Sequence, residues 1–319
     1  MAADGIALLR ARAALTAKVR AFFAARGVLE VDTPLLGDGL VVEAHIDPVP
    51  VSVRLGPGAP QARHLLTSPE GPMKRLLAAG SGPIYQLARA FRDGEVGRRH
   101  AVEFTMLEWY RPGFDHHQLM DEVEALVGEL LPDVAAAPFD RVTYRDLFVH
   151  YAGLDPFAVT PPDVLARCRA LGVDVPAGLG AGSLDDALDL VLVSHIEPQL
   201  GRARPVFVHD YPPSQAALAR VQGRDGEGPA TAARFELYHQ GVELANGYHE
   251  LADAAEQRAR FEAANRQRVQ LGRRALPLDE ALLAALAAGF PDCAGVALGF
   301  DRLVMLAGGI DRIESLRQP

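Results

Sequence analysis

A chain of 319 residues, 49% hydrophobic and 23% charged, has enough apolar content for one large domain or two small ones and is no disordered polyelectrolyte. Its net charge of -9 lacks the basic footprint of a general nucleic-acid binder, although a local basic patch stays open. The two cysteines, Cys168 and Cys293, exclude a disulfide framework or a zinc cluster, and no apolar run has the length of a membrane span. The opening residues carry no signal-peptide pattern, so a cytoplasmic location is expected.

In chain order, Leu8, Leu15, Val19, Phe22 and Phe23 recur at helical spacing over residues 8–26, with Gly27 as the stop. "VLEVDTPLL" alternates like a strand and is interrupted at Pro34. Over 64–80, Ser68 is read as a helix cap, with Pro69 at the first helical position and Glu70 in the first turn. "PIYQLARAFRD" and "AVEFTMLEWYR" read as two strands of an antiparallel hairpin joined by the polar loop "GEVGRRH". An amphipathic helix follows over 117–131, then a helical insertion at about 132–204. "PVFVHDYP" reads as a strand, residues 226–251 as two strands and a turn, and "DAAEQRARFEAANRQRVQLG" as a solvent-exposed helix. "DCAGVALGFDRLVMLAGG" closes as strand, glycine turn and helix.

Three constellations carry chemistry, each beside a plainer reading. Arg92 leaves the first hairpin strand, Arg98, Arg99 and His100 lie in the loop, and Phe104 starts the return. A strand-held guanidinium can bind phosphate oxygens and an aromatic can stack on a base, but a surface hairpin in an Arg-rich protein looks alike. Only Lys18 and Lys74 are lysines among 32 basic residues, which weakens the evidence from any single Arg. In "GFDRLVML", Arg302 falls in the first turn of an apolar helix, where a cation opposes the dipole. Anion binding at the helix start is one reason for it, and an ordinary salt bridge is the other. In "ELANGYHEL", Glu243 and Glu250 lack a neighbouring cation, which suits a divalent metal, a ligand ammonium or a salt-bridged rim. Strand parity alone cannot put Glu243 and Asn246 on one side. Adjacent His116 and His117 share no helix face for a metal pair, and neither a nucleophile triad nor a Walker or dinucleotide glycine pattern is present.

Taken together, the segments resemble the catalytic domain of class II aminoacyl-tRNA synthetases of the lysyl type. "RGVLEVDTP" is similar to motif 1, "FRDGEVGRRHAVEFTMLEWY" to motif 2 and "GVALGFDRLVML" to motif 3, with "TSPE" and "ELANGYHEL" similar to lysine-pocket segments. Only a handful of residues precede the motif 1 helix, so no anticodon-binding domain and no tRNA partner are expected. "PEGPMKRLLAAGSGPIYQL" and Ala297, where lysyl-tRNA synthetases carry Gly, look like the truncated family of elongation factor P β-lysine ligases.

The resemblance implies an α+β fold, a class II synthetase-like antiparallel sheet flanked by helices, spanning residues 1–319 as one catalytic domain. It implies ATP and Mg2+ as cofactors, β-lysine or lysine as substrate, elongation factor P as protein acceptor, and a homodimer. Arg92 would contact the α-phosphate and the substrate carboxylate, Arg302 with His100 the β- and γ-phosphates, and Phe104 the adenine; Gly94, Glu95, Ala101, Leu244 and Gly299 would complete the ATP site. Glu243 and Glu250 would lie at the metal. Glu250 and Tyr110 would take the distal ammonium, Glu70 and Glu108 the other amino group, with Ser68, Asn246, Tyr248 and Ala297 lining the pocket. Two positions depart from the family: Gly94 stands where an acid is usual, with Glu95 one later, and Ala101 replaces an Asn. A short enzyme acting on tRNA or another amine, and an inactive regulatory paralogue, are the rival functions.

Overall fold

The computed structural model describes residues 5–176, 179, 183–223 and 228–316. In chain order the helices and strands are α1 (Gly5–Ala24), β1 (Leu29–Glu30), β2 (Leu36–Gly37), β3 (Val49–Val53), β4 (Gln61–Leu65), α2 (Glu70–Ala78), β5 (Ile84–Phe91) and β6 (Glu103–Pro112). Then come α3 (His116–Leu130), β7 (Asp140–Thr143), α4 (Tyr144–Ala152), α5 (Pro161–Ala170), α6 (Leu184–Val191), β8 (Val206–Tyr211), β9 (Val221–Gln222), β10 (Thr231–His239) and β11 (Val242–His249). The chain closes with α7 (Ala254–Gln270), α8 (Glu280–Ala288), β12 (Cys293–Gly299) and α9 (Phe300–Gly308). The fold is α+β, and its contacts gather into two compact units, one of residues 1–114 and 251–319, the other of 115–250.

In the first unit the strands run in the order β1-β5-β6-β12. β1 is parallel to β5, and the other pairs are antiparallel. The helical spacing of α1 buries Leu8, Leu15, Val19, Phe22 and Phe23. Phe23 stacks on Tyr85 of β5 with centroids 4.3 Å apart and meets Trp109 of β6 edge-on at 5.4 Å. β1 ends at Glu30, short of Pro34, and the chain enters a separate three-stranded sheet of order β2-β4-β3, an element that alternation did not reveal. α2 begins at Glu70 with Pro69 as its cap; Ser68 stands one residue outside, its Oγ accepting the Glu70 N–H at 3.4 Å. The expected Ser68 cap is thus displaced by one residue. Against expectation for a solvent-exposed helix, α7 buries Gln257, Phe261 and Arg268.

In the second unit β11, β10, β8 and β7 lie in that order, with β9 pairing the start of β10. β7 and β8 are parallel. α3 starts at Asp115, whose carboxylate accepts the Gln118 N–H at 2.8 Å while Gln118 Oε1 accepts the Asp115 N–H at 3.0 Å, a reciprocal capping box. Thr143 caps α4, and Gly153 ends it in the left-handed conformation. The insertion is helical in its described part: α4, α5 and α6 pack Phe148, Val164 and Leu188 into a core that includes Val208 and Tyr211 of β8. Of the two strands expected over 226–251, residues 226 and 227 lie outside the described residues, and the pairing starts at Thr231. Among the described residues no helix is long and apolar enough to cross a membrane.

Candidate functional site

In the first unit, β5 and β6 are paired from Ile84↔Tyr110 to Phe91↔Glu103, so the hairpin mouth is rigid where Arg92 leaves it. The Arg92 N–H reaches Val102 O at 2.9 Å, and its guanidinium lies 5.1 Å from the centre of the Phe104 ring. Gly94 adopts φ +76°, a left-handed turn where a glutamate would be strained. The turn brings the next residue back, and the Glu95 carboxylate sits 3.6 Å from Arg92. The acid missing at 94 is supplied from 95.

Motif 3 folds as strand and helix, with Gly299 capping α9 and Arg302 in its first turn. Arg302 Nη2 and His100 Nε2 are 2.8 Å apart. Partial burial and the Arg302 charge hold His100 below the ordinary histidine value, and in the tautomer protonated at Nδ1 its Nε2 accepts from the guanidinium. Asp301 is more than a helix starter. Its buried carboxylate receives Arg12 at 2.5 Å and the Thr105 N–H at 2.9 Å, tying α9 to α1 and to β6. Asp301 and Arg12 were missed because their partners are 196 and 289 residues away in sequence.

Deeper along β6, Glu108 is buried. Burial, then the neighbouring Glu70 charge, push its carboxyl well above the ordinary range, despite a hydrogen bond from Tyr110 Oη to Glu108 Oε2 at 3.1 Å. Glu70 meets the buried Lys74 Nζ at 2.6 Å, a pairing that one helical turn provides and that sequence reading passed over. On β12, Ala297 stands directly opposite Glu108, so its methyl faces the carboxylate-bearing strand position. With Glu70 neutralised by Lys74, the buried Glu108 is the carboxyl left to meet a cation.

In the second unit, "ELANGYHEL" forms β11, and its register resolves the parity problem. Leu237 pairs Ala245 while Tyr238 pairs Glu243, which leaves Leu244 as an extra, bulged residue. The bulge moves Glu243 into phase with Asn246 and Tyr248, opposite Tyr238, Glu236 and Arg234 on β10; Glu250 lies beyond the strand, in an isolated bridge with Ala219. Leu244 itself is buried rather than facing a ligand. Gly247 is required on the reverse face, where a Cβ would lie 2.3 Å from the Phe235 ring.

The polar face carries residues the sequence reading missed. Glu236 accepts from Tyr211 Oη at 2.7 Å, from Tyr238 Oη and from Arg234. Arg234 also reaches Asn246 Oδ1 at 3.3 Å and Gln215 O at 2.7 Å. Burial and the Glu236 charge push the Tyr211 and Tyr238 hydroxyls well above their ordinary values. Alternation on β10 alone would have marked Arg234, Glu236 and Tyr238 as one face. Among the described residues no three acidic, histidine or cysteine side chains are gathered as a preformed metal cage. Mg2+ needs none, since it takes one or two carboxylates and completes its shell with phosphate and water, so the all-oxygen donors Glu243 and Glu250 fit it.

Residues 3–317 match the family model of tRNA synthetases class II (D, K and N). The chain is 47% identical to the elongation factor P--(R)-beta-lysine ligase of Proteus mirabilis (strain HI4320) over 313 residues, covering 98% of this chain and 94% of that protein. A protein of the same name from Vibrio cholerae is 47% identical over 318 residues, 99% of this chain and 96% of the relative. One from Salmonella typhi is 45% identical over 304 residues, 95% and 91% respectively.

Proposed function

The chain belongs to the class II tRNA synthetase family (D, K and N), and from that premise we propose that it activates (R)-β-lysine with ATP and transfers it to a lysine side chain of elongation factor P. The observation that supports the substrate class is Glu108, a buried carboxyl on β6 that an incoming ammonium could pair with, while its neighbour Glu70 is held by Lys74. Ala297 opposite Glu108 supports a substrate whose amino group lies elsewhere than in α-lysine. The acceptor rests on the relatives' shared name.

In the first step a carboxylate oxygen of the amino acid attacks the α-phosphorus of ATP, the bond to the bridging oxygen breaks, and pyrophosphate leaves. Arg92 holds the attacking carboxylate and the α-phosphate, Arg302 and His100 the departing phosphates, and Phe104 the adenine, so positioning and charge neutralisation dominate. Glu95, with Gly94 and Ala101 beside it, shapes the nucleotide turn. Gly299 adjoins Arg302, and Leu244 sets the phase of the carboxylate strand. Glu243 and Glu250 would hold Mg2+, which when bound neutralises phosphate charge. The family resemblance assigns the distal ammonium to Tyr110 and to Glu250, the other amino group to Glu70 and Glu108, and further substrate contacts to Ser68, Asn246 and Tyr248. In the second step the neutral ε-amine of the acceptor lysine attacks the acyl carbon, AMP leaves with its electron pair, and the amine loses a proton. No covalent enzyme intermediate is required.

We read the chain as one catalytic domain working as a homodimer. Support for the dimer is the exposure of Ile6 and Leu9 on α1 and of Leu29 and Leu36 beside it. The inactive-paralogue alternative leaned on Gly94 and Ala101, and the Arg92–Glu95 pair weighs against it. Pyrophosphate exchange with (R)-β-lysine, followed by intact-mass analysis of elongation factor P, tests the assignment. The expected result is exchange favouring (R)-β-lysine and one added residue on the acceptor. Preferential charging of tRNA with α-lysine would overturn it.

A further inference from the structure

Arg268 lies in the last turn of α7, yet it is 1% exposed. A buried guanidinium is stable only when its donors are satisfied. Nε donates to Arg274 O at 3.0 Å, Nη1 to Glu43 O at 3.1 Å and Ile46 O at 2.8 Å, and Nη2 to the Asp47 carboxylate. Arg273 grips the same segment, donating to His45 O at 2.7 Å and to the other Asp47 oxygen at 2.9 Å. Residues 43–47 are irregular chain, so these donors give them a fixed shape that no helix or sheet supplies.

The clamped segment ends on the nucleotide turn. Asp47 O accepts the Asp93 N–H at 2.7 Å, and Asp93 is the residue after Arg92. Arg92 is therefore held on both flanks: its own N–H by Val102 O, and its successor by Asp47. A guanidinium whose task is to meet a phosphate loses much of its effect when displaced by an ångström.

We propose that Arg268 is a positioning residue for ATP: through residues 43–47 it fixes the Asp93 N–H and so the aim of Arg92. This rests on the reading that Arg92 contacts ATP. None of the clamp hydrogen bonds given above reaches Glu70 or Glu108, so its loss should fall on the nucleotide and spare the amino acid.

The test measures pyrophosphate exchange with each substrate varied in turn. Arg268→Met should lower kcat/KM for ATP by about 10- to 100-fold while the KM for (R)-β-lysine stays within about twofold. Arg268→Lys, which keeps the charge but loses the fork, should recover part of the loss. Should Arg268→Met fail to fold, Asp47→Asn and Arg273→Met carry the test, each raising the KM for ATP in the same direction. Unchanged ATP kinetics in those variants, or equal loss toward both substrates, would overturn the proposal. Arg92→Ala separates the two readings: if it retains exchange, the ATP assignment of Arg92 has failed, and if it is inactive while the clamp variants match the parent, only the clamp has failed.

Discussion

Glu108 combines two demands that oppose each other. Burial and the Glu70 charge raise its carboxyl in the folded state, so between the ordinary carboxylate range and its folded value the native chain binds more protons than the unfolded chain. Its contribution to stability is therefore full below the ordinary value and is lost as pH rises through the folded one. Glu108→Gln should raise the melting temperature at neutral pH while impairing amino-acid binding. An ammonium ligand favours the carboxylate, so binding should release a proton and weaken as pH falls. Calorimetry in two buffers of different ionisation enthalpy detects that proton, and Glu108→Gln should abolish it. Glu70 and Glu108 were legible only through the resemblance of "TSPE" and "EFTMLEWY" to lysine-pocket and motif 2 segments. Lys74 was not, because an Arg or Lys one helical turn from a Glu is common on any surface.

At the scale of elements, the hairpin of β5 and β6 and the strand–turn–helix of β12 and α9 follow from local patterns that the sequence displays, and they appear where expected. β11 does not obey its own alternation, because one strand can carry an extra residue only by virtue of what its partner does. Inserting one residue into β10 between Leu237 and Tyr238 should give Leu244 a partner, flatten the bulge and turn Glu243 away from Asn246 and Tyr248. Pyrophosphate exchange should then fall at least about 100-fold, whereas Leu244→Val, which keeps the count, should stay within about threefold. Activity in the insertion variant would show that the bulge is incidental. The three-stranded sheet of β2, β3 and β4 escaped notice for a related reason: two of its pairings join residues that flank Gly- and Pro-rich turns, and composition there reads as loop.

For the whole molecule, burial holds His64, His117 and His239 below the ordinary histidine value of about 6.5. The unfolded chain takes up those protons first as pH falls, so stability declines from about pH 6.5 downward. Burial alone would raise Asp210, but its contact with His209 Nδ1 at 2.9 Å and the nearby His116 outweigh it and hold the carboxyl well below its ordinary value. That stability is present above the ordinary carboxylate value and disappears as pH falls toward the lowered one. Thermal melts should therefore show a falling midpoint from pH 7 to pH 5 and a further fall below pH 4. His117→Gln should flatten the first limb, and a flat profile in the parent would refute the histidine account. His116 and His117 of α3 meet His209 and Asp210 of β8 only in the folded chain, which is why the adjacent pair His116–His117 carried so little meaning in the sequence.

The left-handed turn at Gly94 bears on how activity is carried from one protein to another. A column-by-column comparison scores this chain as missing an acid beside its principal arginine. The backbone delivers that acid from the neighbouring column, 3.6 Å from the same guanidinium. Chemical roles in such a loop belong to directions of approach, and an inventory kept by aligned position would discard as degenerate a chain that has its acid in place.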